Sequence, residues 1–234
     1  MNLLSIGGSD PSSGAGIQSD IKTFDSLNAY GLTIITAVTS QNTSRFGIIE
    51  PVSKKILQNQ IDFIFSDFKI DGIKIGMVYN SDIIKIIHNE IKSRDIPIIL
   101  DPVIRSTTGG SLIKKSAVKD FKKLLIPLAT VITPNKFEAE FLSKNKIDSK
   151  ESLQKIARKI QNMGAENVVI TGLEIKKDQI SDFILERKKQ YIVSGKKILK
   201  NTCYHGYFRQ NKIKQRSSRS IFGHGRWILH VSKT

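Results

Sequence analysis

The chain has 234 residues, of which 39% are hydrophobic and 25% are charged, which is typical of a globular protein with one core. No apolar run is long enough to span a membrane, and a single cysteine, Cys203, excludes an internal disulfide. These features predict a cytoplasmic protein without a membrane partner.

The formal net charge of +16 is distributed unevenly along the chain. All 21 acidic residues lie at or before Glu186, whereas 13 of the 37 Lys and Arg residues fall in the last 48 positions. A basic segment of this kind is typical of a tail that binds phosphate backbones. It is equally typical of a chain end translated in a shifted reading frame.

The first element is an apolar run at residues 3–6, which predicts a buried strand that Gly7 and Gly8 interrupt. A turn-forming stretch, DPSSG at 10–14, follows it, and apolar residues at 17, 21 and 24 predict a helix directly behind the turn. This order favours equally a small ligand or phosphate at the helix N-terminus and a plain crossover. The glycine spacing matches neither a Walker A loop nor a dinucleotide fingerprint.

Strands and helices then alternate along the chain. Further strands are predicted at 32–38, 73–75, 97–100, 130–132 and 168–170, and short edge strands at 180–199. Helices are predicted at 56–68, from a Ser81 cap to 91, in a basic stretch ending at Leu125, from Lys136 to 142, and from a cap at Asp148 or Ser149 to Gly164. The alternation predicts an α/β fold with a mostly parallel central sheet and helices on both faces.

Small or polar residues follow five of these strands directly: Gly7 and Gly8, Gln41, Gly76 with Met77, Asp101, and Asn135. Parallel strands end at one common edge of a sheet, which is where ligands bind in open α/β folds. The sequence therefore predicts one site assembled from several strand ends.

Several of these residues also have a purely structural interpretation. Gln41 fits an ordinary loop, although its amide suits the edge of a heteroaromatic ring. Met77 is typical of core packing as well as of a contact to a flat ring. Asp101 fits a turn, but a buried carboxylate needs a partner such as Mg²⁺ or a basic residue of a phosphate site. Glu138, three residues after Asn135, fits a capping box or a place at the site.

Five segments in this order carry a resemblance: GGSDPSSGAGIQSDIKTF (7–24), AVTSQNT (37–43), DGIKIGM (71–77), LDPV (100–103) and ITPNKFEAEFL (132–142). Together they resemble the hydroxymethylpyrimidine and phosphomethylpyrimidine kinases of thiamine biosynthesis, which are members of the ribokinase-like superfamily. The resemblance covers residues 1–202 and implies a three-layer kinase domain over that range.

The resemblance also implies a reaction and a set of site residues. The family transfers the γ-phosphoryl group of MgATP to 4-amino-5-hydroxymethyl-2-methylpyrimidine and then to its monophosphate. By position, Gln41 matches the residue that reads the pyrimidine edge, and the implied pocket wall consists of Met77, Gly8, Ala15 and Asp20. The implied ATP and phosphate residues are Asp101, Asn135 and Glu138, of which Asp101 and Glu138 are the implied Mg²⁺ ligands. A homodimer is the expected assembly.

The chain departs from the family after Thr202. The family continues with His-Gly-Thr-Gly-Cys and a helix, whereas residues 203–207 here read CYHGY. This change removes the glycine loop that holds the transferring phosphate and the residue that assists deprotonation, so no catalytic residue is assigned. We hypothesise a frameshifted C-terminus, in which the C-terminal helices are missing or replaced and residues 203–234 form an aberrant, poorly ordered basic tail.

Two other functions stay open at this point. A pyridoxal kinase-like enzyme shares the architecture and acts on a flat ring that bears a hydroxymethyl group. The other alternative is an inactive protein that binds nucleic acid through residues 187–234. We expect nucleic-acid binding less, because this segment lacks the amphipathic or aromatic spacing of a binding module.

Overall fold

A computed structural model describes residues 1–42, 44–106, 110–175 and 177–197, and the backbone of a short antiparallel pair, Phe222–Gly223 with Arg226–Trp227. The Thr202 boundary and the rest of the 203–234 tail, including Cys203, lie outside the described residues. The predictions for that segment therefore stay predictions.

A nine-stranded sheet forms the centre of the fold. Its strands are β1 (Asn2–Ser9), β2 (Tyr30–Gln41), β3 (Phe46–Pro51), β4 (Gly72–Ile75), β5 (Ile98–Leu100), β6 (Val131–Ile132), β7 (Asn167–Leu173), β8 (Gln179–Glu186) and β9 (Lys189–Lys196). Their order across the sheet is β3-β2-β1-β4-β5-β6-β7-β8-β9. The six strands from β2 to β7 in this order are parallel, whereas β3, β8 and β9 pair antiparallel. The predicted mostly parallel α/β sheet is confirmed.

The helices connect these strands. They are α1 (Gly16–Ser26), α2 (Lys54–Asp67), α3 (Ser81–Ile91), a short α4 (Val118–Asp120), α5 (Lys136–Ser143) and α6 (Lys150–Gln161). Among the described residues, no helix is both long enough and apolar enough to cross a bilayer.

Alternation along the strands sends side chains to two different layers. In β1, Leu4 and Ile6 join the main core with the buried sides of α2, α3, α5 and α6. Leu3 faces the other way and packs with Phe24 of α1 and with Ala29. The helices therefore cover both faces of the sheet, as the resemblance implies.

Three expectations about local structure were wrong in detail. Gly7 and Gly8 do not end the first strand, because β1 continues to Ser9 across a register shift between the two glycines. Asn80, not Ser81, caps α3, since its side chain accepts a hydrogen bond from the Ile83 amide. The basic stretch before Leu125 is not one helix but a series of short helical turns from Lys115 to Leu128.

The region after β7 also differs from the expected short edge strands. β8 and β9 are both eight residues long, and β8 lies inside the sheet, where it buries Phe183 and Leu185. Of these two strands, only β9 lies at an edge of the sheet, and all of its residues are exposed. Strand β3, which pairs with β2, was not predicted, because residues 46–51 contain a glycine and a proline.

Candidate active site

The carboxyl ends of the central parallel strands lie side by side. Ile6, Ile75, Leu100 and Ile132 pair in sequence across four neighbouring strands. Backbone amides continue this row one residue further: Gly76 donates to Ile6 at 2.8 Å, Asp101 to Ile75 at 2.8 Å, and Thr133 to Leu100 at 2.9 Å. Four of the five strand ends that the sequence singled out, those of β1, β4, β5 and β6, therefore form one continuous edge.

The loop between β1 and α1 is organised by the buried side chain of Asp10. Its Oδ1 accepts hydrogen bonds from the amide and the hydroxyl of Ser12, both at 2.8 Å, and its Oδ2 accepts one from the Ala15 amide at 2.8 Å. Gly16 has a φ of +61°, and a Cβ there would lie 2.5 Å from the Gly8 carbonyl oxygen. The loop amides of Ser12 and Ala15 thus bind Asp10, and glycine lets α1 begin close against β1.

Gly8 and Met77 are in direct contact. A Cβ at Gly8 would lie 2.8 Å from the Met77 sulfur. Met77 is also the centre of a small apolar cluster that is separate from the main core. Its members are Ala37, Met77 and Leu112, with Phe46, Ile49, Tyr79 and Val103 packed around them.

Gln41 lies next to this cluster, at the end of β2, and is partly exposed. It is the cross-strand partner of Phe46, the first residue of β3. Phe46 in turn packs against the loop after β5, where a Cβ at Gly110 would lie 2.5 Å from a ring carbon. The β2–β3 pair and the loop that ends at Leu112 therefore meet above Met77.

Asp20 is on the buried side of α1 and binds the sheet directly. Its Oδ2 accepts a hydrogen bond from Ser5 Oγ at 2.7 Å and one from Lys74 Nζ at 2.6 Å. The Lys74 ammonium also lies 3.9 Å from Asp101 Oδ2. The buried Asp101 carboxylate therefore has the Lys74 ammonium as one partner. The sequence predicted Mg²⁺ or a basic residue for this place but did not single out Lys74.

Asn135 and Glu138 form a capping box at the start of α5. The Asn135 side chain accepts from the Glu138 amide at 3.0 Å, and Glu138 Oε2 accepts from the Asn135 amide at 2.9 Å. Glu138 Oε1 also accepts a long hydrogen bond of 3.4 Å from the Ile104 amide. Glu138 is 4% exposed, so its carboxylate is buried at the strand-end edge. There it already has a structural role as part of the capping box.

Two hydrogen bonds to Glu140 connect α5 with the chain that follows it. Glu140 accepts from the Ile147 amide and from Lys146 Nζ, both at 2.9 Å. The hydrogen bond from the Ile147 amide, followed by that from Lys146, lowers the pKa of Glu140 below its usual value. The charged form of the Glu140 carboxylate therefore binds the chain that follows α5.

Thr133 adds a buried hydroxyl to the same edge. It is 2% exposed, and its Oγ1 has no hydrogen-bond partner among the described residues. A buried hydroxyl without a partner costs about 1–3 kcal/mol. A ligand atom or a water at this edge would remove that cost.

The sequence reading missed Lys74, Phe46 and Thr133. Lys74 was detectable, because a lysine between two isoleucines of a buried strand must have a partner. Phe46 was not detectable, since it reaches the cluster only through the pairing of β3 with β2.

Asp101 and Glu138 are the carboxylates to be tested as Mg²⁺ ligands. Within the described ranges, no group of three or more His, Cys, Asp or Glu side chains is arranged to hold a metal ion. Mg²⁺ in kinases is usually bound by one or two carboxylates together with substrate phosphates. Both residues are buried at the strand-end edge, which fits that donor set.

The mostly parallel sheet, with an apolar cluster and buried carboxylates at its carboxyl edge, has the fold of solved ribokinase-like small-molecule kinases. The crystal structure of phosphomethylpyrimidine kinase from Clostridium difficile 630 matches with a TM-score of 0.75 and 36% identity, covering 82% of this chain and 83% of that one. Pyridoxal kinase from Staphylococcus aureus, in complex with AMP-PCP and pyridoxal, matches with a TM-score of 0.75 and 30% identity, covering 85% and 73%.

The sequence comparisons specify the family within this class. The phosphomethylpyrimidine kinase family model matches residues 10–207. The hydroxymethylpyrimidine/phosphomethylpyrimidine kinase of Aquifex aeolicus is 37% identical over 203 residues, which cover 86% of this chain and 80% of that protein. The chain therefore belongs to the phosphomethylpyrimidine kinase family.

Proposed function

We propose that this chain phosphorylates 4-amino-5-hydroxymethyl-2-methylpyrimidine, and then its monophosphate, with ATP in thiamine diphosphate biosynthesis. The observation that carries the proposal is the family match over residues 10–207, which spans the ends of β2, β4, β5 and β6 at the candidate site. We further propose that the enzyme works in the cytoplasm and as a homodimer.

The pyrimidine side of the site consists of Gly8, Gln41, Met77 and the apolar cluster around Met77. A flat, weakly polar ring fits between a thioether and aliphatic side chains, because such a surface needs no further hydrogen bonds. The Gln41 amide supplies one donor and one acceptor at the rim, which suits the ring nitrogen and the amino group of the substrate. Ala15 and Asp20 are proposed as the more distant wall.

The phosphate side consists of Asp101, Thr133, Asn135 and Glu138. Asp101 and Glu138 would hold Mg²⁺, which neutralises charge on the transferring phosphoryl group when bound. The backbone of Thr133 lies in the same row as that of Asp101, and its hydroxyl supplies a donor without a partner among the described residues.

The reaction itself needs positioning and charge neutralisation more than covalent chemistry. The substrate hydroxymethyl oxygen attacks the γ-phosphorus of ATP, the bond from that phosphorus to the ADP oxygen breaks, and the hydroxyl proton is released. In relatives the glycine loop after the position of Thr202 contributes to this step. Because CYHGY replaces that loop here, we propose that turnover is impaired while substrate binding is retained.

The pyridoxal alternative has less support than the pyrimidine substrate. The pyrimidine kinase relatives are 36% and 37% identical, compared with 30% for the Staphylococcus aureus pyridoxal kinase. A nucleic-acid-binding tail at 187–234 stays a prediction.

The test is a measurement of ADP release and of ligand binding by the full chain. Calorimetry with the pyrimidine alcohol and with pyridoxal should give tighter binding of the pyrimidine, and ADP release with MgATP should be slow but dependent on that substrate. Gln41→Ala should weaken pyrimidine binding about tenfold, the effect of one lost hydrogen bond of about 1–1.5 kcal/mol.

A matched control is Gln58→Ala on α2, which removes an amide that donates to Asp62 and Glu90. This substitution should leave the binding of the pyrimidine alcohol and of pyridoxal unchanged. Tighter binding of pyridoxal, or no binding of the pyrimidine at all, would contradict the proposed function.

A further inference from the structure

Lys74 is a buried charge in the middle of an apolar strand. Its neighbours Ile73 and Ile75 join the main core, so that Lys74 faces the opposite side of the sheet, toward α1. It is 6% exposed, and it is the cross-strand partner of Ser5 on one side and of Ile99 on the other. Burial of a lysine at such a position requires close anionic partners.

The lysine side chain extends along the strand to the level of the candidate site. A Cβ at Gly76, two residues further on and on the same face, would lie 3.0 Å from Lys74 Nζ and 3.7 Å from Cε. A side chain at position 76 would therefore press against the ammonium group, which would have to shift by a few tenths of an ångström. Glycine at this strand end gives the lysine access to the edge.

Two carboxylates from different parts of the chain meet at this ammonium group. Asp20 Oδ2, from α1, lies 2.6 Å from Nζ, and Asp101 Oδ2, from the end of β5, lies 3.9 Å away. Asp20 is 4% exposed and Asp101 is also 4% exposed. One positive charge thus lies between two negative ones, and it is the element that Asp20 and Asp101 have in common.

We propose that Lys74 is a positioning residue that holds Asp20 toward the pyrimidine side and Asp101 toward the phosphate side, and so couples the two halves of the site. This inference rests on the proposed function and adds a residue to it. Hydrophobic residues of similar volume often stabilise a fold as well as a buried ion pair does, so stability alone is a weak reason for this cluster. The shared ammonium instead hydrogen-bonds Asp20 and attracts Asp101 across 3.9 Å, so that its position bears on both carboxylates at once.

The first experiment compares Lys74→Met with Ile73→Ala in the full chain. Ile73 lies in the same strand, is 2% exposed and faces away from both carboxylates, so its truncation destabilises the fold without reaching the site. Circular dichroism at low temperature identifies conditions under which both variants are folded. Calorimetry should then show binding of the pyrimidine alcohol and of Mg-AMP-PNP weakened at least tenfold in Lys74→Met and less than twofold in Ile73→Ala.

A second pair of variants keeps the lysine and moves its ammonium group. Gly76→Ala places a methyl group against Nζ, whereas Gly195→Ala, in the edge strand β9, meets nothing within 4 Å. Gly76→Ala should weaken both ligands about threefold or more, and Gly195→Ala should leave them unchanged. This pair decides the question if Lys74→Met does not fold.

Failure of this inference is distinguishable from failure of the proposed function. If the unmutated chain does not bind the pyrimidine, the proposed function fails, and double-mutant cycles on unfolding then decide the role of Lys74 alone. Lys74→Met should couple with Asp20→Asn and with Asp101→Asn by at least threefold in the unfolding equilibrium constant. Absence of coupling to Asp101, or equal ligand affinities in Lys74→Met and Ile73→Ala, would overturn the inference.

Discussion

The two sides of the strand-end edge are built from different interactions. The pyrimidine side is closed by apolar contacts, such as Gly8 against Met77 and Phe46 against the loop at Gly110. The phosphate side consists of short strands, three residues in β5 and two in β6, that end in buried polar groups. Its carboxylates are held by backbone amides and by a lysine, and the Thr133 hydroxyl lacks a partner among the described residues.

This difference indicates which side depends on what binds to it. Apolar groups that pack against one another gain free energy without a ligand, at about 25 cal/mol per Å² of buried surface. Buried carboxylates and hydroxyls gain only when a cation, a donor or an acceptor satisfies them. We therefore expect the pyrimidine side to be preformed, and the phosphate side to require MgATP and the glycine loop whose loss the sequence predicts.

The largest expected effect tests the phosphate side. Replacing residues 203–234 with the corresponding C-terminal segment of the Aquifex aeolicus relative should raise turnover roughly 10²- to 10³-fold, the typical contribution of oxyanion donors. The reason is that the loop amides stabilise the transferring phosphoryl group in the transition state. Turnover is measured as substrate-dependent ADP release.

The same exchange should change the dissociation constant of the pyrimidine alcohol less than threefold, because the pyrimidine side is already formed. An unchanged turnover in a folded chimaera would show that the C-terminal segment is not what limits this chain.

The next effect tests the pyrimidine side with a pair of adjacent glycines. Gly8→Ala places a Cβ 2.8 Å from the Met77 sulfur, so the methionine must move out of the ring site. We expect a stability loss of about 1–3 kcal/mol, as for overpacking, and a weakening of pyrimidine binding of about tenfold. Chemical denaturation and calorimetry measure the two.

Gly7→Ala is the matched control, since its Cβ meets only ordinary contacts of 3.7 Å or longer. It should change neither quantity by more than about 0.5 kcal/mol, as is usual for a substitution without steric conflict. Equal effects of the two substitutions would mean that Met77 does not form the wall of the ring site.

A smaller effect compares two helix caps. Asn135→Ala at the site and Ser149→Ala at the start of α6 each remove a side chain that accepts a hydrogen bond from the amide of the third helical residue. Each should cost about 1 kcal/mol of stability. Only Asn135→Ala should also weaken binding of Mg-AMP-PNP, because it loosens Glu138. If both or neither weakened it, Asn135 would have no specific place on the phosphate side.

The smallest effect is a pH dependence on α5. The folded pKa of Glu140 is lowered from its ordinary value of 4.5, so its stabilising contribution is present above pH 4.5 and is lost as the pH falls through the folded pKa. Glu140→Gln should lower the melting temperature at pH 7. The corresponding loss of unfolding free energy should be a few tenths to about 1 kcal/mol. The two proteins should melt at more similar temperatures below the folded pKa; a constant difference at all pH values would contradict this.

Local pattern was sufficient for most elements of this fold. The unbroken apolar run at 168–170 lies within β7, the two isoleucines at 73 and 75 lie within β4, and the Asn135–Glu138 spacing produced the capping box, one of the two roles that it allowed. Prediction was wrong where the local pattern conflicted with pairing. Gly7 and Gly8 are poor strand residues, but pairing with β2 holds β1 in extended conformation through Ser9, although its pairing with β4 ends at Ile6.

The sequence by itself determined the order of strands and helices, the common edge at which the polar residues end, and the kinase family, because periodicity and motif order are properties of the chain. Only the tertiary structure decided that Lys74 lies between Asp20 and Asp101, and that Phe46 packs against the cluster that contains Met77. Those contacts join residues far apart in sequence, and they depend on the register of neighbouring strands and on the face to which each side chain points. Neither quantity is encoded in a local pattern of residues.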